Sequence, residues 1–270
     1  MKPGKHSRCG IRAICLVLGL SGPAWSACDR ILYSTNPNYP PYSWVNKSGK
    51  LEGASLDLLR RVAPHGIALV EVVYPLKRAM ALAEQGKIDL LLSLRITPER
   101  EKGLIFTSRP AFPNPITAFV RKDLSINYKG WADLKGMSGA ISAGDTFGFG
   151  FDEYLRSELT FEEGYTLVQN FHKLALGRID YFVSGKYLGE AYLAQTGLDK
   201  DIMALTPPLT SGDIYFALSR HSPCAAYLDE ISANLGALDS AGENVKILQK
   251  NLELFRQRKV GDVFAPFLYE

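Results

Sequence analysis

One phrase occurs twice in this chain. "LAEQGKIDLLLS" (82–93) returns as "KLALGRIDYFVS" (173–184), with Gly86 and Gly177 lying 91 residues apart. In each copy, helix-forming residues run up to a glycine. A basic residue, Ile-Asp, three apolar residues and a serine follow. A glycine at that place marks a helix end, where the backbone turns left-handed at little cost only for glycine. The short apolar run after it reads as a strand buried on both faces. The preceding helices fit: "PLKRAMALAEQ" puts Leu76, Ala79, Met80 and Ala83 on one face, and "VQNFHKLAL" does the same with Val168, Phe171, Leu174 and Ala175. A repeated helix–glycine–strand unit predicts two α/β lobes, each a mainly parallel sheet flanked by helices.

The rest of the chain alternates in the same way. Strands are expected at 31–34, 68–73, 116–121 and 215–219, and helices at 55–62, 151–156, 224–238 and 243–256. "LKGMSGAIS" (134–142) reads as a loop entering a strand, and "GDTFGFG" (144–150) as a glycine-rich turn. Two Pro-rich stretches, 109–115 and 206–213, are the expected crossings between lobes. Lobe 1 then takes residues 28–113 and 212–270, and lobe 2 takes 114–211.

Residues 1–27 have the order of a secretory signal peptide. Lys2, Lys5, Arg8 and Arg12 give a basic start, and "AICLVLGL" (13–20) is an apolar run too short to span a bilayer. Ala24, Ser26 and Ala27 follow the helix-breaking Gly22-Pro23 as cleavage-site residues. A retained anchor is one alternative. Lipidation of Cys28 is another, although Trp25 stands where an aliphatic residue normally precedes the small pair. Removing the four basic residues from the chain's 31 Lys and Arg leaves 27 against 28 Asp and Glu. The mature chain is therefore close to neutral, and no nucleic-acid partner is expected.

Cysteine usage agrees with an oxidising compartment. Cys9 and Cys15 leave with the signal, and the remaining pair, Cys28 and Cys224, favours one disulfide over two free thiols. About 240 mature residues without a further long apolar run describe a soluble globular chain, expected as a monomer. There is no G-x-S-x-G nucleophile turn, no H-E-x-x-H and no P-loop. His65, His172 and His221 lack metal-ligand spacing, so neither metal nor cofactor is expected.

Four stretches occur in a telling order: "NYPPYSWVNKSGKLEGASLDL", "GKIDLLLSLRITPEREKGLIFTSRP", "LKGMSGAISAGDTFG" and "LGRIDYFVSGK". Together they resemble the family-3 extracytoplasmic solute-binding proteins, the amino-acid-binding partners of ABC importers, over essentially the whole mature chain. The resemblance implies a periplasmic protein whose two lobes, joined by a two-stranded hinge, close over a small ligand. That ligand bears a carboxylate, as an amino acid or related organic acid does, and a membrane permease reads the closed form. Arg100, in T-P-E-R, matches the guanidinium that holds the ligand's α-carboxylate, a fixed two-donor fork for a planar acid. Tyr39 matches an aromatic packed on the ligand, with Tyr42 and Trp44 as extensions of that wall. Ser93 matches a polar contact, and Gly144 and Thr146 match a lobe-2 turn that presents amides to an anion.

Three positions depart from the family pattern. Arg95 replaces a small hydroxyl residue, Ala54 replaces an aromatic, and Gly185 stands in place of the acid that pairs with an α-ammonium. A buried ammonium without its partner costs several kcal/mol. Two readings stay open: a ligand with extra negative charge held by Arg95 and Arg100 together, or Asp145 as the missing acid. Relatives of the fold that eliminate water and CO2 from cyclic acids make a cyclohexadienyl-dehydratase-like enzyme the rival reading. A ligand sensor docking on a membrane receptor is a third.

Overall fold

A computed structural model describes Met1 and residues 28–148 and 150–258. Apart from Met1, the expected signal peptide lies outside the described residues. In chain order the strands are β1 (Arg30–Ser34), β2 (Asn38–Tyr39), β3 (Ser43–Val45), β4 (Leu51–Glu52), β5 (Ala68–Glu71), β6 (Leu90–Leu94), β7 (Leu104–Phe106), β8 (Phe112–Arg121), β9 (Ser138–Ser142), β10 (Thr160–Gly164), β11 (Tyr181–Gly185), β12 (Ile202–Ala204) and β13 (Thr210–Ser219). The helices are α1 (Ala54–Val62), α2 (Leu76–Glu84), α3 (Pro98–Glu101), α4 (Phe151–Glu158), α5 (Leu167–Ala175), α6 (Lys186–Thr196), α7 (Leu228–Ser240) and α8 (Glu243–Arg256).

The duplicated phrase folds the same way twice. After α2, Gly86 takes φ 71°, and the N–H groups of Gly86 and Lys87 reach back to the carbonyls of Ala83 and Leu82. After α5, Gly177 takes φ 66°, and Gly177 and Arg178 reach back to Leu174 and Lys173. This paired-bond ending needs a left-handed residue, which is why both copies carry glycine. The chain then enters β6 and β11, whose residues are buried apart from Gly185. The aspartate of each copy has a matching task. Asp89 accepts from Leu32 N on β1 at 2.7 Å, and Asp180 accepts from Ser138 N on β9 at 2.8 Å. In each lobe that carboxylate pins the strand built by the phrase to its parallel neighbour.

Each half holds three parallel strands, β5-β1-β6 and β10-β9-β11, closed by an antiparallel one. That closing strand is β13 beside β6 and β8 beside β11. β8 and β13 also pair with each other, from Phe112 opposite Ile214 to Ile116 opposite Thr210, so one ribbon runs from sheet to sheet. The first lobe packs around Ile31, Leu59, Phe216 and Leu235, and the second around Phe119, Phe171 and Phe182 on one face and Val120, Phe151 and Tyr181 on the other. At the far end of α8, Phe255 lies 5.3 Å from Trp44 within the second lobe's cluster.

Several expectations need correction. β8 begins at Phe112 and β13 at Thr210, earlier than the strands expected from 116 and 215, so about half of each Pro-rich crossing is strand. Pro113 and Pro115 pair there with Asp213 and Ser211. A two-stranded ribbon has an open edge, where a residue without an N–H is tolerated. The helix expected from Cys224 opens instead as a 3-10 turn, Pro223–Tyr227, before α7. The small antiparallel sheet β2-β3-β4 was not expected at all.

Candidate functional site

Ligands of open α/β sheets sit beyond the carboxyl ends of strands. The segments that leave β1, β6 and β9 meet here around one cavity of about 280 Å³. Asn36 and Tyr39 line it after β1, Leu76 from the start of α2, and Ser93, Leu94, Arg95, Thr97 and Arg100 along the path from β6 into α3. Gly144, Asp145 and Thr146 line it from the segment after β9. A larger hollow of about 490 Å³ lies among Lys122, Glu190, Asp199 and Arg256. Its charges of both signs balance, so nothing in it selects an anion.

Seven residues expected from the sequence therefore share one cavity: Tyr39, Ser93, Arg95, Arg100, Gly144, Asp145 and Thr146. Gly185 is not among its lining residues. It ends β11 opposite Ile116, and a Cβ there would sit 3.4 Å from Asn114 Oδ1. Tyr42 and Trp44 are core residues rather than cavity wall. The Tyr42 hydroxyl donates to Pro113 O at 2.6 Å, and the Trp44 ring packs on Phe255. Ala54 is fully buried at the start of α1.

Sequence reasoning missed Asn36, Leu76, Leu94 and Thr97. Thr97 carried a signal, a hydroxyl N-cap before proline at the first helical position. Its Oγ1 accepts from Arg100 N at 3.3 Å, which holds the turn bearing Arg100. Asn36 carried one too, since its Oδ1 accepts from Asn38 N at 2.9 Å as asparagine does in turns.

Ser93 is the one described residue besides glycine with positive φ, at 60°. The cause is a bulge: Leu94 opposes Tyr215 while Leu91 opposes Ala217, so β6 carries an extra residue against β13. The Ser93 hydroxyl is hydrogen-bonded to Ser55 Oγ on α1. Such a conformation costs on the order of 1 kcal/mol and persists where the surroundings enforce it.

Arg95 and Arg100 stand on one wall, and neither forms an ion pair among the described residues. Glu99 pairs with Lys102 instead, at 2.9 Å. Arg100 Nη1 donates to Arg95 O at 2.8 Å. Burial foremost, aided by the like charge of Arg95, lowers the Arg100 pKa from its ordinary value, yet a guanidinium starts so high that it stays protonated. Asp145 is reached by solvent, but protein crowds it. Burial pushes its carboxyl up to about 6, against the pull of Arg95 and a hydrogen bond with Ser142. Burial also raises the Tyr39 phenol, whose oxygen accepts from Asn114 Nδ2 at 2.6 Å. The site thus offers two fixed positive charges and one carboxyl that titrates near neutrality. Such a set suits an anionic group with a cationic neighbour.

Known proteins resemble this chain in sequence and in fold. The L-cystine-binding protein TcyJ of Escherichia coli K12 is 27% identical over 195 residues, covering 66% of this chain and 70% of that protein. The second substrate-binding domain of a putative amino acid ABC transporter from Streptococcus pneumoniae superposes with a TM-score of 0.66 at 17% identity, covering 83% of this chain and all of that one. The ancestral amino-acid-binding protein AncCDT-1, a precursor of cyclohexadienyl dehydratase, does so with a TM-score of 0.64 at 22% identity, covering 83% and 95%. Both likenesses concern the fold. The family description of the bacterial extracellular solute-binding proteins, family 3, matches residues 31–253, from β1 into α8, and the chain belongs to that family.

Proposed function

We propose that the mature chain is a periplasmic capture protein, exported by a cleaved signal peptide. It binds a small carboxylate-bearing solute, an amino acid or a related organic acid, between lobes formed by 28–113 with 212–270 and by 114–211. The ligand shifts an open–closed equilibrium through its higher affinity for the closed form, which the permease of an ABC importer then reads. One observation carries this reading: two guanidiniums without a carboxylate partner among the described residues line a cavity beyond the strand ends. The relative named for L-cystine supports an amino-acid ligand.

Calorimetric titration of the monomeric mature protein with amino acids and with di- and tricarboxylates tests the proposal. Saturable binding of one such compound is expected. Arg100→Ala should weaken it by about 2–5 kcal/mol, because a buried charge pair loses one partner. Thermal stability without added ligand should hardly change. Undiminished binding in Arg100→Ala would refute the assignment of the carboxylate to that side chain.

A further inference from the structure

The family pattern leaves Arg95 without a task, and its guanidinium is already engaged. Nη1 donates to Phe147 O at 2.9 Å, and Nη2 donates to Asn114 O at 3.1 Å. Arg95 follows β6 and so belongs to the first sheet. Phe147 follows β9 in the second sheet, and Asn114 sits on β8 in the ribbon between them. One side chain thereby ties together three parts whose relative placement changes when two lobes hinge.

The acceptors are well held. The Phe147 amide donates to Asp152 Oδ1 at 2.9 Å at the start of α4, which fixes the turn that presents its carbonyl. Thr210 Oγ1, on β13, donates to that same carbonyl at 3.4 Å. Asn114 is anchored through Nδ2 to the Tyr39 hydroxyl. A planar guanidinium can serve two carbonyls set apart in this way, whereas an ammonium is a single point donor.

We infer that Arg95 is a positioning residue: it latches the two lobes together, while Arg100, held by the Arg95 carbonyl, is left to meet the ligand. This rests on the capture reading above and deepens it, because the latch sets how much of the protein is closed before any ligand arrives. Apparent affinity then scales with that closed fraction.

Small-angle X-ray scattering tests the latch on mature protein stripped of ligand by unfolding and refolding. Each charge-assisted bond contributes enough that Arg95→Ala should lower the closed-to-open ratio about tenfold or more, giving a larger radius of gyration. Its thermal unfolding should stay close to that of the parent. Arg95→Lys, which can serve one carbonyl, should fall between the two, and it serves alone if the alanine variant does not fold. Equal radii of gyration for the parent and whichever variant folds would overturn the latch. Because no ligand is added, that failure is distinct from failure of the capture reading, which would show as absence of binding in calorimetry with lobe separation unaffected.

Discussion

Asp145 bears the only carboxyl among the described residues that line the cavity, and it lies within reach of physiological titration. Its pKa is raised from 3.8 to about 6, foremost by burial. The folded chain therefore binds this proton more tightly than the unfolded chain. Folded stability should fall as pH rises from about 4 to about 6 and then level off, with solvent access damping the size of the effect. Asp145→Asn should flatten that slope in urea titrations run across the range. The same carboxyl reports on the ligand. A ligand ammonium beside it favours the carboxylate, so binding at pH 6 should release a proton, whereas an extra acid group would draw one in. Calorimetry at pH 6 in two buffers of different ionisation heat reads the sign. Release is expected, because Arg95 is committed to backbone carbonyls and leaves Arg100 and Asp145 as the free opposite charges. Uptake would favour a ligand with additional negative charge.

Gly53, the residue before α1, shows how an element's placement can hang on one atom. It has φ 131°, and a Cβ there would stand 2.4 Å from Tyr42 O and 2.8 Å from Ser43 Cα. Gly53→Ala must displace β3 or the first turn of α1, so a loss of roughly 2–4 kcal/mol is expected, seen as a lower urea midpoint at unchanged slope. The same crowding draws Ala54 under the fold, its amide donating to Pro41 O at 3.0 Å. Sequence matching alone could not reveal that burial. Elements whose partners lie within their own pattern were legible: α8 spans Glu243–Arg256 as its apolar stripe predicts, and both copies of the repeat follow their glycines. Others are made by tertiary contact. β10, "TFEEG", is polar and mostly exposed, and owes its form to pairing with β9. α6 packs against β8, β11 and α8, so it lacks a single apolar face to recognise. The partners of Arg95 were hidden for a related reason, since backbone carbonyls at Asn114 and Phe147 leave no mark in residue type.

For the whole molecule, the bond between Cys28 and Cys224 separates stability from function. The two Cα atoms lie 5.1 Å apart and are 196 residues apart in sequence. Cys28 precedes β1, Cys224 lies in the turn after β13, and both pack into the first lobe's core. A sulfur held in this bond is not open to lipidation. The loop it closes contains the entire second sheet, yet neither cysteine lines the cavity. In the unfolded chain the cross-link removes the freedom of that long loop, which stabilises the fold by roughly 4–5 kcal/mol in the chain-entropy model. In the folded chain it joins elements already held by β1, β13 and the core beneath them, so lobe closure should proceed without it. Reduction, or Cys28→Ser with Cys224→Ser, should therefore lower the unfolding free energy read from urea titration by up to that amount. Affinity of the folded protein should stay within about twofold, as expected for distant sites without shared partners. Parallel loss of stability and affinity would mean that the bond also shapes the cavity. Two titratable thiols in unfolded, unreduced protein would mean that the bond does not form.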